Sequence, residues 1–458
     1  MANKKKKFRL IDAVMASVCI ILVAESAAPA ASIGNSQFFW WIIMLVGFFI
    51  PYGLISAELG TTYDGEGGLY DWVKSAYGNK WASRVAWNYW VNFPLWMASL
   101  AVLFCELFVG LTGLKINIGI EILMKLLFIG IVTTLSLFRI SESKWIINIA
   151  AIFKVLIMLT IGVLGIYVAT TKGMATKFTI ESMLPNLDLV GLSFISVIIY
   201  NFCGAEIITS LAPEMDNPQK QIPQSLLLGG IIIAVFYMFS AFGIGVAIPL
   251  DQLNASSGFI DSIRYLAGGG ILVPILGGMF IFTLFANLVS WSYGVNYVVK
   301  YAADNKDMPQ IFTKISSKTG IPTNATIFNG IFAAILVVLS PFMPSQDIFW
   351  SFFGVSAVTL VASYIPMFPA FLKLRRIDPN TPRPFKVKGG GIKLKLITYI
   401  PMVLLITALI FTVVPMSTSP EELSTKVPLT IGVIISIILQ EIVVIRGVKN
   451  RDQSEENV

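Results

Sequence analysis

The chain has 458 residues, of which 56% are hydrophobic and only 13% charged, with a formal net charge of +7 and no histidine. A soluble domain carries roughly 25% charged residues, and a single core stops growing at about 250–300 residues, so this much apolar sequence reads as a protein solvated by lipid. The absence of histidine excludes His-based metal sites, Ser-His-Asp triads and imidazole pH switches.

The N-terminus opens with Lys4, Lys5, Lys6, Lys7 and Arg9. The first apolar run behind it lacks a small-residue cleavage site and is read as a retained span rather than a signal peptide. Crossing the hydrocarbon core takes about 20 apolar residues, and about twelve such runs follow one another along the chain. Their centres lie near Val23, Phe48, Leu95, Ile129, Leu156, Ile199, Val235, Thr283, Leu336, Val361, Leu405 and Ile435.

Span one contains Glu25, and Pro29 marks it as interrupted, because proline cannot donate the helical bond and clashes with the preceding turn. Glu106 falls near the outer end of span three and reads as a solvated interfacial carboxylate. Lys125, close to the end of span four, is expected to snorkel. Lys154 falls in the middle of span five, where a buried ammonium needs a partner. Span six carries Tyr200-Asn201-Phe202-Cys203-Gly204-Ala205-Glu206, with two weak helix formers, Asn201 and Gly204, in an apolar run.

Interruptions in spans one and six, five spans apart, are the sequence pointer to an inverted-repeat transporter whose substrate binds at the breaks. A proline kink and a packing glycine explain the same residues without a site. Glu25 tips the balance, since an acidic side chain near the bilayer centre costs at least about 2.5–3.5 kcal/mol. Glu206, two residues beyond Gly204, is a second intramembrane acid. In span eight, Trp291 stands between Ser290 and Ser292, away from either interface, and reads as a cavity wall.

The loop around Arg375 to Lys395 is a basic turn and linker, and the tail around Asp452–Glu456 is polar. Cys19, Cys105 and Cys203 lie in apolar segments without paired spacing, so neither disulfides nor metal ligation is expected. No Gly-Lys dipeptide exists, which excludes a P-loop, and the loops leave no room for a soluble catalytic domain. A channel would favour repeated pore segments, which are absent. A sensor that only binds its ligand stays open.

Lys115, Lys172, Lys177, Arg264 and Lys426 fall in one set of loops, Lys125 and Lys154 within spans, and all other basic residues on the opposite side. The positive-inside rule then places both termini in the cytoplasm and makes the chain a multi-pass protein of the cell membrane.

The stretches Glu66-Gly67-Gly68-Leu69-Tyr70-Asp71-Trp72-Val73-Lys74 with Tyr77-Gly78, and Glu206 followed by Pro213-Glu214-Met215-Asp216-Asn217-Pro218-Gln219-Lys220-Gln221-Ile222-Pro223, resemble the amino acid-polyamine-organocation superfamily. The run Phe49–Leu59 resembles its glutamate/GABA antiporter branch, which also holds tyrosine/tyramine and agmatine/putrescine exchangers. The resemblance implies an all-α membrane protein of about twelve helices, with a leucine-transporter-type inverted five-helix repeat plus two extra helices. The implied organisation is a basic N-terminus (1–9), a first repeat (10–170), a second repeat (189–372), a basic loop (373–395), two further spans (396–446) and a tail (447–458).

Similarity to the arginine/agmatine antiporter of that superfamily implies roles for particular residues. Tyr89, Glu206 and Tyr364 fall on its inner gating cluster, with Glu206 on the proton-sensing acid. Trp291 falls on the aromatic gate, Tyr200 on a tryptophan that packs against substrate, and Ser356 on a substrate-contacting serine. Lys154 matches a lysine that stands in place of a sodium ion. The breaks themselves, Ala24-Glu25-Ser26-Ala27 and Phe202-Cys203-Gly204, are the remaining substrate contacts expected.

One departure matters. Relatives that bind amino acids carry a Gly-Ser-Gly type turn in span one, whose bare amides hold the substrate carboxylate. An ionised Glu25 would repel that group and attract an ammonium, by roughly 4 kcal/mol at about 4 Å and an effective dielectric of about 20. The expectation is therefore an amine exchanger of the agmatine/putrescine kind, with an amino acid/amine antiporter of the glutamate/GABA or tyrosine/tyramine kind as the alternative. The partners expected are a small cationic amine or amino acid, the lipid bilayer and a second copy of the chain in a homodimer. Nucleic acid and cofactors are not expected, and neither is enzymatic activity.

Overall fold

The computed structural model describes residues 9–63, 67–138, 140–185, 191–204, 216–255, 257–343 and 347–456. Among the described residues the regular structure is helical and no strand occurs. Hydrocarbon demands this, because every backbone polar group must find its partner within its own segment. Among the described residues ten helices are long and apolar enough to cross a membrane: Gln37–Thr62, Asn79–Thr112, Ile118–Leu135, Asn148–Thr171, Gln219–Ala247, Leu272–Asp304, Thr323–Phe342, Ile348–Ile377, Ile392–Val413 and Pro420–Lys449. Each contains one expected centre, and they are spans two to five and seven to twelve. Span one is absent from that set because it is broken, and of span six only residues up to Gly204 are described.

Span one runs as a helix Leu10–Ile21, an extended Leu22 and Val23, a tight turn Ala24–Ser26 and a second helix Ala27–Ala31. The chain leaves the helix at 22–26, upstream of the Pro29 that marks the span as interrupted. Proline's clash and its missing N–H both act on the carbonyl four residues earlier, that of Glu25. Pro29 itself sits in the first turn of the second helix, where an N–H would have no intrahelical partner.

In span six a tight turn Gly191–Phe194 and a helix Ile195–Tyr200 give way to turns over 201–204. Gly204 has φ +95°, a conformation a Cβ would strain. Glu206 lies outside the described residues, as do Glu66 and Pro213–Met215 of the two family-like stretches and the side chain of Cys19. Span two loosens into a π turn at Leu45–Phe49 just before Pro51, which cannot supply the bond to Gly47.

Span three is the central column, packed against spans four, eight, nine, ten and twelve and the short helix Leu69–Tyr77. Span seven packs on spans one and five. Spans five and seven touch backbone to backbone, since a Cβ on Gly165 would lie 2.7 Å from the Gly243 Cα. Small residues allow this approach in a bilayer, where apolar burial alone does not drive helices together. Lys125, expected to snorkel, is instead buried and ion-paired with Glu121 one turn earlier. The pairing supplies locally what the interface would otherwise have to provide.

The loop after span ten is fastened to span two by a buried carboxylate. Glu58, 1% exposed, accepts both Arg375 N–H arms, the Val387 amide at 2.7 Å and, at 3.3 Å, Arg383.

Candidate functional site

The two breaks meet inside the bundle. The helix Ile195–Tyr200 packs on Ala27–Ala31, on span ten and on span eleven. Ala24, Glu25, Ser26, Ala27, Tyr200, Phe202 and Cys203 are all buried. Breaking a helix in this setting frees backbone groups that no water can satisfy, so side chains must do it.

Tyr237 of span seven is the main one. Its hydroxyl donates to the Val23 carbonyl at 2.8 Å and accepts the Val23 N–H at 3.0 Å. The Ser26 hydroxyl lies 3.0 Å from it and also reaches the Val23 carbonyl at 2.8 Å. The Tyr237 ring stacks on Trp41 at 4.6 Å, and Trp41 stands edge-on to Phe202 at 5.3 Å. One tyrosine thereby ties span seven, the first break and, through Trp41, the second.

Glu25 is held from the other side. Asn287 of span eight donates its amide to both carboxylate oxygens, at 3.0 and 2.9 Å, and each residue is only 2% exposed. Both oxygens accept, as in an ionised carboxylate. The opposite amide orientation would set a carbonyl oxygen against two carboxylate oxygens, so chemistry fixes which way Asn287 faces. Lys154, also buried, acts on the same carboxylate electrostatically. Its span packs on the broken turn and on spans seven and eight.

Beyond Glu25 the wall is aromatic. Tyr200 lies edge-on to Phe353 at 5.3 Å and to Trp96 at 6.4 Å, and Trp96 meets Trp291 edge-on at 6.0 Å. Trp291 is half-buried. The Tyr200 hydroxyl reaches Ser356, whose own hydroxyl donates to the Asn92 carbonyl at 2.9 Å. The Cys203 thiol donates to the Ile199 carbonyl, and Gly204 closes the turn. Asn201, beside Tyr200, is fully buried with neither amide atom partnered among the described residues. Of the residues expected at an inner gate, Tyr89 accepts from the Asn92 amide through its carbonyl, and Tyr364 stands edge-on to Tyr52 at 5.4 Å.

Sequence reasoning missed Tyr237, Asn287, Trp96 and Trp41. Asn287 left a signal, being a lone amide in an apolar run one turn before Trp291. The three aromatics look like any core residue until the packing is known. Among the described residues no cluster of three or more acidic or cysteine side chains could hold a metal.

A family model described as amino acid permease matches residues 8–439. The chain belongs to the amino acid permease family. The resemblance to the amino acid-polyamine-organocation superfamily therefore holds, and the chain is a multi-pass membrane transport protein. It is 51% identical to a probable agmatine/putrescine antiporter of Lactococcus lactis subsp. lactis (strain IL1403), over 97% of this chain and 96% of that one. A probable polyamine transporter of Arabidopsis thaliana is 25% identical, over 81% of this chain and 72% of its own. An uncharacterised transporter of Legionella pneumophila is 26% identical, over 92% of each.

Proposed function

We propose that the chain exchanges agmatine for putrescine, or closely related small amines, across the cell membrane by alternating access. The observation that carries this reading is the Glu25 carboxylate, buried at the span-one break and hydrogen-bonded at both oxygens by the neutral amide of Asn287. A carboxylate offers about four lone-pair sites, so capacity is left for an ammonium. The Tyr200, Trp96 and Trp291 rings then take the far cationic end of a diamine, where cation–π contact is worth about 0.5–2 kcal/mol. The amines for which the Lactococcus relative and the plant relative are named agree with this chemistry.

Several finer assignments belong to the same reading. Lys154 stands where sodium-coupled relatives hold a cation, so exchange runs without sodium. Tyr89, Glu206 and Tyr364 form the inner gate. The two breaks are the equivalent points of an inverted five-span repeat, both termini are cytoplasmic, and the chain pairs as a homodimer. The protein catalyses no chemical reaction.

The test is exchange in proteoliposomes. Labelled putrescine outside should enter against agmatine loaded inside, without ATP or sodium. Uptake into liposomes lacking internal amine at the same rate would refute exchange. Competition by glutamate equal to that by putrescine would replace the amine reading with the glutamate/GABA one.

A further inference from the structure

Glu25 can select cations only if it stays charged, oriented and accessible, and these requirements conflict in a buried site. A buried carboxylate needs donors, and the usual donors, lysine and arginine, cancel its charge. Asn287 avoids the conflict. Its single Nδ2 lies 3.0 and 2.9 Å from the two oxygens, which fixes the carboxylate in one plane while adding no charge. The backbone under Glu25 is fixed separately by Tyr237 on span seven. The side chain takes its direction in part from span eight, beside a bond from its own backbone and the charge of Lys154. Asn287 also shares that helix with Trp291 one turn later, so the donor to Glu25 and one ring of the aromatic cluster are set by one helix.

The geometry points to Asn287 as a specificity-determining residue, which holds Glu25 as a singly oriented acceptor and sets the preference for amines over zwitterionic amino acids. The assignment rests on the reading that Glu25 receives the substrate ammonium. Without the amide, the carboxylate would turn to other donors or draw on Lys154 more closely, and its charge toward the substrate would fall. A zwitterion, whose carboxylate is otherwise repelled by Glu25, would then compete better.

Asn287→Leu removes the donor while keeping the branching and the number of side-chain heavy atoms, and Asn287→Ser restores one short donor. Putrescine/agmatine exchange and its inhibition by putrescine and by ornithine are measured for wild type, both variants and Glu25→Gln. Asn287→Leu should raise the KM for putrescine tenfold or more, with a smaller change in maximal rate. It should also lower the ratio of ornithine to putrescine inhibition constants tenfold or more, and Asn287→Ser should recover part of both. If wild type does not exchange putrescine, or Glu25→Gln exchanges it normally, the functional reading falls. If those two behave as expected while Asn287→Leu keeps the wild-type KM and discrimination, the role of Asn287 alone is refuted. A loss of maximal rate and of melting temperature at unchanged discrimination would mark Asn287 as merely structural and refute it equally. Should leucine prevent insertion, Asn287→Ala against Asn287→Ser makes the same comparison.

Discussion

Replacing Glu25 with glutamine removes one charge and almost nothing else. The side chain keeps its length and shape, and Asn287 can still donate to the remaining carbonyl oxygen. The new amide would face the Asn287 amide donor to donor, but either group can turn over and pair as amide with amide. Tyr237 and Ser26 continue to hold the Val23 backbone, because none of their bonds involves the Glu25 side chain. The variant should therefore insert and melt close to wild type. Substrate binding is another matter. A unit-charge pair at about 4 Å and an effective dielectric of about 20 is worth roughly 4 kcal/mol. Removing one partner of a buried, hydrogen-bonded charge pair costs about 2–5 kcal/mol. The amide can still accept one hydrogen bond from the ammonium, which returns about 1 kcal/mol. The net loss is about 2–4 kcal/mol, or roughly 30- to 1,000-fold in putrescine affinity. Discrimination against ornithine and arginine should relax in the same variant, since their carboxylates no longer meet a like charge. The assay is competition of labelled putrescine exchange by each compound in proteoliposomes, with detergent melting as the folding control. Wild-type putrescine affinity in a folded Glu25→Gln protein would refute the reasoning, whatever the variant did to the rate.

Tyr237→Phe removes the hydroxyl that satisfies both polar groups of Val23, and an orphaned buried group costs about 1–3 kcal/mol; a fall in melting temperature together with slower exchange is expected, and an unchanged melt would contradict the bridge. Lys154→Ala should impair exchange in protein that still inserts, and wild type should show no sodium requirement in sodium-free choline buffer; full activity of the variant would count against the sodium-substitute role. Glu58→Gln leaves Arg375 and Arg383 without their shared carboxylate, and breaking a buried pair in this way costs about 3–5 kcal/mol; a melt within a degree of wild type would show the cluster to be dispensable. Butylamine, which keeps one ammonium and lacks the far cation, should bind about 2- to 30-fold more weakly than putrescine by loss of the cation–π contact of about 0.5–2 kcal/mol, and Trp96→Leu should narrow that gap; butylamine failing to compete at all would place the dominant ligand at the far end rather than at Glu25.

Much of this fold is written in hydropathy. The solvent demands long apolar helices, so ten spans among the described residues lie where the composition places them, and span one falls short because its helix stops at Ile21 and restarts at Ala27. The intramembrane acid Glu25 was equally legible, because its cost in lipid requires a reason. Legibility ends where the argument needs to know which helices meet. Asn287 is 262 positions from Glu25, Tyr237 is 214 from Val23, and Arg375 is 317 from Glu58. Nothing in one sequence pairs such distant residues. Pro29 signals the first break without standing in it: proline acts on the carbonyl four residues back, so the chain departs from the helix before the residue that forces it to. Lys125 was misread because nearness to a helix end suggested water, whereas Glu121 on the next turn offered a closer partner.

The arrangement at the breaks also bears on why one site should serve two different amines. Agmatine and putrescine share an aminobutyl end and differ at the other, where one carries a guanidinium and the other an ammonium. A site that read both ends by hydrogen bonds would reject one of them, because a buried polar group left unpaired by the wrong ligand costs about 1–3 kcal/mol. Here the strict element, the Glu25 carboxylate held by Asn287, suits the shared end. The far wall of Trp96, Tyr200 and Trp291 attracts either cation through its ring faces, which have no fixed hydrogen-bond direction to violate. Both proposed amines carry two charges, so exchanging one for the other would move no net charge, and the same fixed set of Glu25 and Lys154 could face either side loaded with either amine. A directional carboxylate at one end and an undirected aromatic wall at the other is what a one-for-one exchanger of unlike amines requires.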